Sequence, residues 1–151
     1  MHPSAPSTQP DSPEEAVLLM VMQIGKRMRQ RQPGDEVDPA TIPVLHVLRC
    51  TGAIRLSDLA QRMHLDASTV SRHARQLEER GLVSRTGDPD DRRASRVEIT
   101  ELGGKALAAS FEQRKKLIGQ TMADWSAQDL QTLQRLASRF VDDLNAGDAD
   151  A

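Results

Sequence analysis

The stretch from Leu56 to Thr100 limits the fold most, because its apolar residues change period partway through. Leu59, Ala60 and Met63 fall on one side of a short helix that Ser57 is placed to cap. A three-residue turn, His64-Leu65-Asp66, separates it from a second stripe of Val70, Ala74 and Leu77. Asp66 is placed to cap this second helix, expected over Ala67 to Arg80, and Gly81 to close it in a left-handed conformation. From Leu82 the period becomes two. Leu82 to Thr86 and Arg96 to Thr100 read as strands, and the GDPDDRRAS between them reads as a polar, extended turn. The first helix is expected to pack across the second and steady it, leaving the second to present an outward face.

Longer helical patterns flank this unit. Ser12-Pro13-Glu14-Glu15 is a helix start, with Ser12 as cap, Pro13 at the first helical position and Glu15 completing a capping box. Leu18, Val21, Met22, Gly25 and Met28 then recur at helical spacing, and Pro33-Gly34 predicts a stop near Gln32. A second helix is expected from Thr41, which places Pro43 in the first turn where no ladder bond is lost. Its buried side is Val44, Leu45, Val47 and Leu48, and Thr51-Gly52 ends it; Ile54-Arg55-Leu56 is a possible short strand. Thr100 caps a long helix carrying Leu102, Ala106, Phe111, Leu117, Ile118 and Met122. Ser126 and Asp129 begin a last one, with Trp125 placed to staple onto Leu130 and a stripe of Leu130, Leu133, Ala137, Phe140 and Leu144.

The predicted class is mainly α with a small β-hairpin wing (α+β), a winged helix-turn-helix with flanking dimerisation helices. The winged lobe spans 41–100. The flanking helices, 12–31 and 101–145, carry more apolar stripe than one small winged lobe can cover, so they predict a homodimer. Residues 1–11, rich in Pro and Ser, and the small acidic 146–151 read as disordered ends.

Charge distribution says more than net charge, which is −2. Between Arg55 and Arg96 lie nine arginines, no lysine and seven acids, against an acidic remainder. Arg is the side chain suited to forked contacts with phosphate and guanine. With Val70 set inward and about 100° per residue, Ser68, Arg72, Arg75 and Glu79 point outward. Thr69 and Gln76 lie on one shoulder and Ser71 on the other. Small hydroxyls at a helix start let a backbone approach closely, and arginines behind them can reach base edges in a major groove. Arg92, Arg93 and Arg96 cluster on a hairpin too short to bury anything, and a narrow minor groove attracts inserted Arg. Asp90 and Asp91 are expected to aim a neighbouring guanidinium by a charge-assisted bond.

The stretch LSDLAQRMHLDASTVSRHARQLEERGLVSRTGDPDDRRASRVEITELG, Leu56 to Gly103, resembles the MarR family of bacterial regulators. Its most specific part is the wing signature, here Asp91-Arg92-Arg93 followed by Ile99-Thr100. Helix order extends the resemblance over about residues 12 to 145. The resemblance implies a transcriptional regulator, often a repressor, that binds palindromic double-stranded DNA as a homodimer. It implies that Ser68, Thr69, Ser71 and Arg72 lie at the DNA end of the recognition helix, and that Arg93 enters a minor groove steadied by Asp91. It also implies interlocked first and last helices, and small ligands, often aromatic acids or phenols, bound between those helices and the DNA-binding lobe.

A winged helix used only for protein interaction or ligand binding is the alternative, and exposed wing arginines weigh against it. No nucleophile elbow, zinc-protease motif, P-loop or dinucleotide fingerprint occurs, so no enzyme and no cofactor is expected. Cys50, the single cysteine, excludes an intramolecular disulfide and fits a reducing cytoplasm. It follows His46 by four residues on one helix face, where a Cys–His pair could bind metal or sense oxidant; the plainer reading is a buried thiol packing as a small hydrophobe. The first helix lacks the cysteine that the family's peroxide sensors carry there. His64 and His73 read as packing or polar-contact residues. No apolar run has membrane-spanning length, and the first ten residues lack the apolar core of a signal peptide.

Overall fold

A computed structural model describes residues 10–149. In order they form α1 (Pro13–Arg29), a 3-10 turn (Pro39–Thr41), α2 (Ile42–Thr51), β1 (Ile54–Arg55), α3 (Leu56–Met63), α4 (Ala67–Glu79), β2 (Val83–Gly87), β3 (Ser95–Ile99), α5 (Glu101–Thr121) and α6 (Ala127–Ala149). The chain divides into two compact units, Met1–Phe111 and Glu112–Ala151.

The first unit holds the core. Val44, Leu45 and Leu48 of α2, Leu59 of α3, Val70, Ala74 and Leu77 of α4, Val83 and Val97 of the sheet, and Ala106 and Leu107 of α5 are buried together. The sheet order is β1-β3-β2, antiparallel throughout. β1 is the strand expected at Ile54, and it pairs Ile54 with Val97 and Arg55 with Arg96. α4 ends in a Schellman motif: Leu82 N donates to Leu77 O, Gly81 N to Glu78 O, and Gly81 takes φ 68°. Because Leu82 is spent on that cap, the strands start one residue later on one side and end one earlier on the other than the alternation predicts.

α5 is fastened to this cap. Thr100 N donates to Leu82 O, Thr100 Oγ1 donates to Gly81 O at 2.7 Å and accepts from Gly103 N at 3.0 Å. Gly103 is required by the close approach, since a Cβ there would meet the Leu82 carbonyl and lie 2.9 Å from Ile99 Cγ1.

Several boundaries differ from expectation. α1 starts as predicted, with Ser12 Oγ accepting from Glu15 N, but the return bond of the box comes from Asp11 N. It stops at Arg29, short of Gln32, because Gln30 turns extended and Gln32 N is taken by Asp35 Oδ2. Asp38 caps the 3-10 turn through Ala40 N, which hands over to α2 at Thr41. Ser57 does not cap α3: the N-cap is Arg55, because the paired strand runs straight into the helix. Asp66 holds the N-cap position of α4 without a side-chain cap bond. His64 takes φ 51° to turn the chain between α3 and α4. α6 continues to Ala149, through most of the segment expected to be disordered; adding residues to an existing helix is far easier than nucleating one. Residues 1–9 and 150–151 lie outside the described residues.

Two stretches leave apolar surface bare. α1 buries no residue, and Leu18, Val21 and Met22 are 58–67% exposed. In the second unit Trp125, Leu136, Phe140, Val141 and Leu144 are exposed. Among the described residues no helix is long and apolar enough to cross a membrane.

Candidate nucleic-acid interface

α4 is held by its buried stripe, so its other faces are fixed by geometry. Ser68, Ser71, Arg72, Arg75 and Gln76 are exposed and Thr69 is half-buried. The helix starts with unbonded backbone N–H groups next to Ser68 and Thr69, the end at which an anion is favoured. His73 sits half-buried on the inner flank. Its Nδ1 is buried without a hydrogen-bond partner, and burial, then the neighbouring Arg72 charge, lowers its pKa.

The wing is organised around a residue that sequence reading passed over. Asp88, 5% exposed, sits where β2 leaves the sheet. Its two oxygens accept from Arg55 Nε (2.7 Å) and Nη2 (3.0 Å), Arg96 Nε (2.8 Å), Asp90 N (2.8 Å) and Asp91 N (3.1 Å). The two guanidiniums, Arg55 first, hold the carboxyl well below the usual carboxylate range. The loop closes with Asp88 N donating to Ala94 O and Ala94 N to Asp91 O. The structure supplies the reason: β1 sets Arg55 opposite Arg96, and two like charges facing each other across strands need a shared counter-ion.

The arginines of the lobe therefore divide. Arg55 and Arg96 serve Asp88, Arg96 also lies 3.8 Å from Asp90, and Arg85 lies 3.4 Å from Glu78 of α4. Arg72, Arg75, Arg92 and Arg93 are exposed, and among the described residues no hydrogen bond or ion pair engages their guanidiniums. Arg96, grouped with the tip arginines from sequence, is thus brought to the wing base. The Asp91 carboxylate engages the backbone N–H of Arg93 at 2.9 Å, so it fixes the turn that carries Arg93 where a bond to the guanidinium was expected.

Cys50 is exposed, contrary to the buried-thiol expectation, with Sγ 4.0 Å from His46 Nε2; the His46 ring lies 5.9 Å from that of Phe111. Its helix position, after the last buried residue Leu48, explains the exposure. Among the described residues no group of three or more His, Cys, Asp or Glu could hold a metal ion.

Comparison with known proteins agrees with this geometry. The sequence profile of the MarR family matches residues 38–95. The HTH-type transcriptional regulator YxaD of Bacillus subtilis is 38% identical over 95 residues, covering 60% of this chain and 66% of that protein, just under two thirds of its length. The HTH-type transcriptional repressor MdtR of the same organism is 25% identical over 126 residues, covering 83% and 81%. Among solved structures, a mutant MarR from E. coli superposes with a TM-score of 0.75 at 18% identity, covering 89% of this chain and 99% of that one, and shows the shared fold. With that fold, that match and those free arginines on helix and wing, the chain belongs to the MarR family of transcriptional regulators.

Proposed function

We propose that the protein binds a palindromic DNA site as a two-fold homodimer and represses transcription there, with α4 in the major groove and the wing tip in the flanking minor groove. The observation that carries this is the placement of arginines: on α4 and the wing tip, the two elements a winged helix presents to DNA, Arg72, Arg75, Arg92 and Arg93 are exposed and have no partner among the described residues. Ser68, Thr69, Ser71 and Gln76 would contact phosphate or base edges beside Arg72, and Asp91 would hold the backbone of Arg93. Arg96 supports the wing from its base. A protein-interaction module has no need for such a set.

The dimer reading rests on the bare apolar residues of 12–31 and 101–145, since a helix apolar all round, as α1 is from Leu18 to Met22, must be covered. Repression is proposed because it is the role named for MdtR. Release by a small effector fits a hollow of about 240 Å³ between Arg31, Asp38, Thr41 and the α4 residues Gln76, Leu77 and Glu79, where a ligand would bear directly on the recognition helix.

Selection of bound duplexes from random DNA, with light scattering of the free protein, tests the proposal. The expected outcome is a dimer at micromolar concentration and a dyad-symmetric site with half-site centres about 10 bp apart. A stable monomer, or tight binding without dyad symmetry, overturns the dimeric reading; no enrichment at all overturns DNA reading.

A further inference from the structure

We infer that Asp88 is a positioning residue for DNA binding: its buried carboxylate locks the wing to the start of the helix-turn-helix, and so sets where Arg93 lies relative to the DNA-facing side of α4. This rests on the DNA reading proposed above.

Arg55 is both a β1 residue and the N-cap of α3, the first helix of the helix-turn-helix. Arg96 belongs to β3, the return strand of the wing. Asp90 N and Asp91 N belong to the tip, and Asp91 in turn holds Arg93 N. One carboxylate therefore ties three pieces of chain together, the first of them 33 residues away in sequence. Val83 and Val97 anchor the base of the hairpin in the core, and Arg85 pairs with Glu78 of α4, but the tip has little else to fix it. From Ser84 to Gly87 the β2 residues are half-buried or exposed, and from Pro89 to Arg93 every residue is exposed. Backbone pairing reaches only to Gly87 opposite Ser95, and beyond it the loop depends on Asp88 and its partners.

The chemistry requires a carboxylate. Five donors converge on two oxygens, and two of the donor groups are cations. An amide offers one accepting oxygen and turns an N–H₂ toward a guanidinium, so Asp88→Asn loses bonds and leaves the two arginines facing each other. The freed loop would then present Arg93 in many directions, and DNA binding would have to order it.

A double-mutant cycle separates positioning from general damage. Arg93→Ala, Asp88→Asn and the double variant are titrated against the selected DNA site, with thermal melting and light scattering confirming a folded protein of native assembly. Asp88→Asn is expected to weaken binding about tenfold. Arg93→Ala, costly in the native chain, should then cost less than about twofold in the Asp88→Asn background. Hydroxyl-radical footprints should lose the minor-groove flanks and keep the centre. Arg55→Gln, which leaves Arg96 on Asp88, gives a second route should Asp88→Asn fail to fold, with the same non-additivity in smaller measure. If Arg93→Ala costs the same in both backgrounds, DNA reading stands and the positioning role falls. If Arg93→Ala costs nothing in the native chain, the wing does not touch DNA, and both the wing reading and this inference fall.

Discussion

The two DNA-facing elements are held in place by opposite physics. α4 is aimed by apolar burial: Val70, Ala74 and Leu77 are at most 2% exposed, and everything on its outer face follows from the helical period. The wing is aimed by charge: one buried carboxylate and two arginines hold a loop that packs almost nothing. Apolar packing tolerates no misplacement of the element it carries, because interiors are close-packed. A charge clamp on an otherwise exposed loop can fail locally while the core persists. The contrast predicts that damage under α4 is global and damage in the wing is confined to DNA binding.

The strongest way to break that contrast is to empty the space under α4. Leu77→Ala removes a side chain 2% exposed that packs in the common core. It is expected to destabilise the fold by about 2–5 kcal/mol, a large part of the roughly 5–15 kcal/mol that holds a domain folded. Denaturant unfolding measures this, and DNA affinity should fall with the folded fraction. A loss under about 1 kcal/mol would mean that packing does not position α4.

A direct comparison of the two reading elements comes next. Arg72→Ala should weaken binding by about 1–3 kcal/mol per half-site and relax preference at the base it contacts. Arg93→Ala should act on most sequences alike, since a minor groove is read by width and A·T character. It should also reduce the log–log salt slope by up to about 0.9 per contact, or about two for a dimer. Asp91→Ala should follow Arg93→Ala in part, through the turn that its carboxylate holds. Tighter binding by Asp91→Ala would show that Asp91 is only a repulsive charge near DNA.

What could be read from sequence divides along the same line. The α4 face was legible because burial in a helix is periodic, and Val70, Ala74 and Leu77 mark it at a glance. The caps at Ser12, Thr100 and Ser126 were legible because a cap is a contact over three residues. Asp88 was not, since its main partners stand 33 and 8 residues away and no local pattern distinguishes it from Asp90 or Asp91. Ser57 misled for a related reason: a cap-forming residue in the right place lost its position to a strand pairing that exists only in three dimensions. Residue type alone points to a buried thiol at Cys50, whereas its place on α2 turns it outward.

The smallest expected effect lies where the two regimes meet, at His73, a titratable group on the flank of the helix that packing holds. Burial, reinforced by the Arg72 charge, lowers its pKa from the ordinary 6.5, so the folded protein binds this proton less readily than the unfolded chain does. Stability from keeping the ring neutral is thus present above about pH 6.5 and is lost as pH falls through the lowered folded-state value. Asp88 cannot mimic this, because its pKa is depressed from the ordinary 3.8, and its contribution is lost only in far stronger acid. The native protein should therefore melt at a slightly lower temperature at about pH 5.5 than at about pH 7.5, by no more than about 3 °C. His73→Gln should remove most of His73's share of that difference, since Gln can donate at the same position without titrating. The check is thermal melting of both proteins across the two pH values. Equal slopes for wild type and His73→Gln would show that the histidine titrates as it does in water, and that the inner flank of α4 is more open to solvent than the buried Nδ1 indicates.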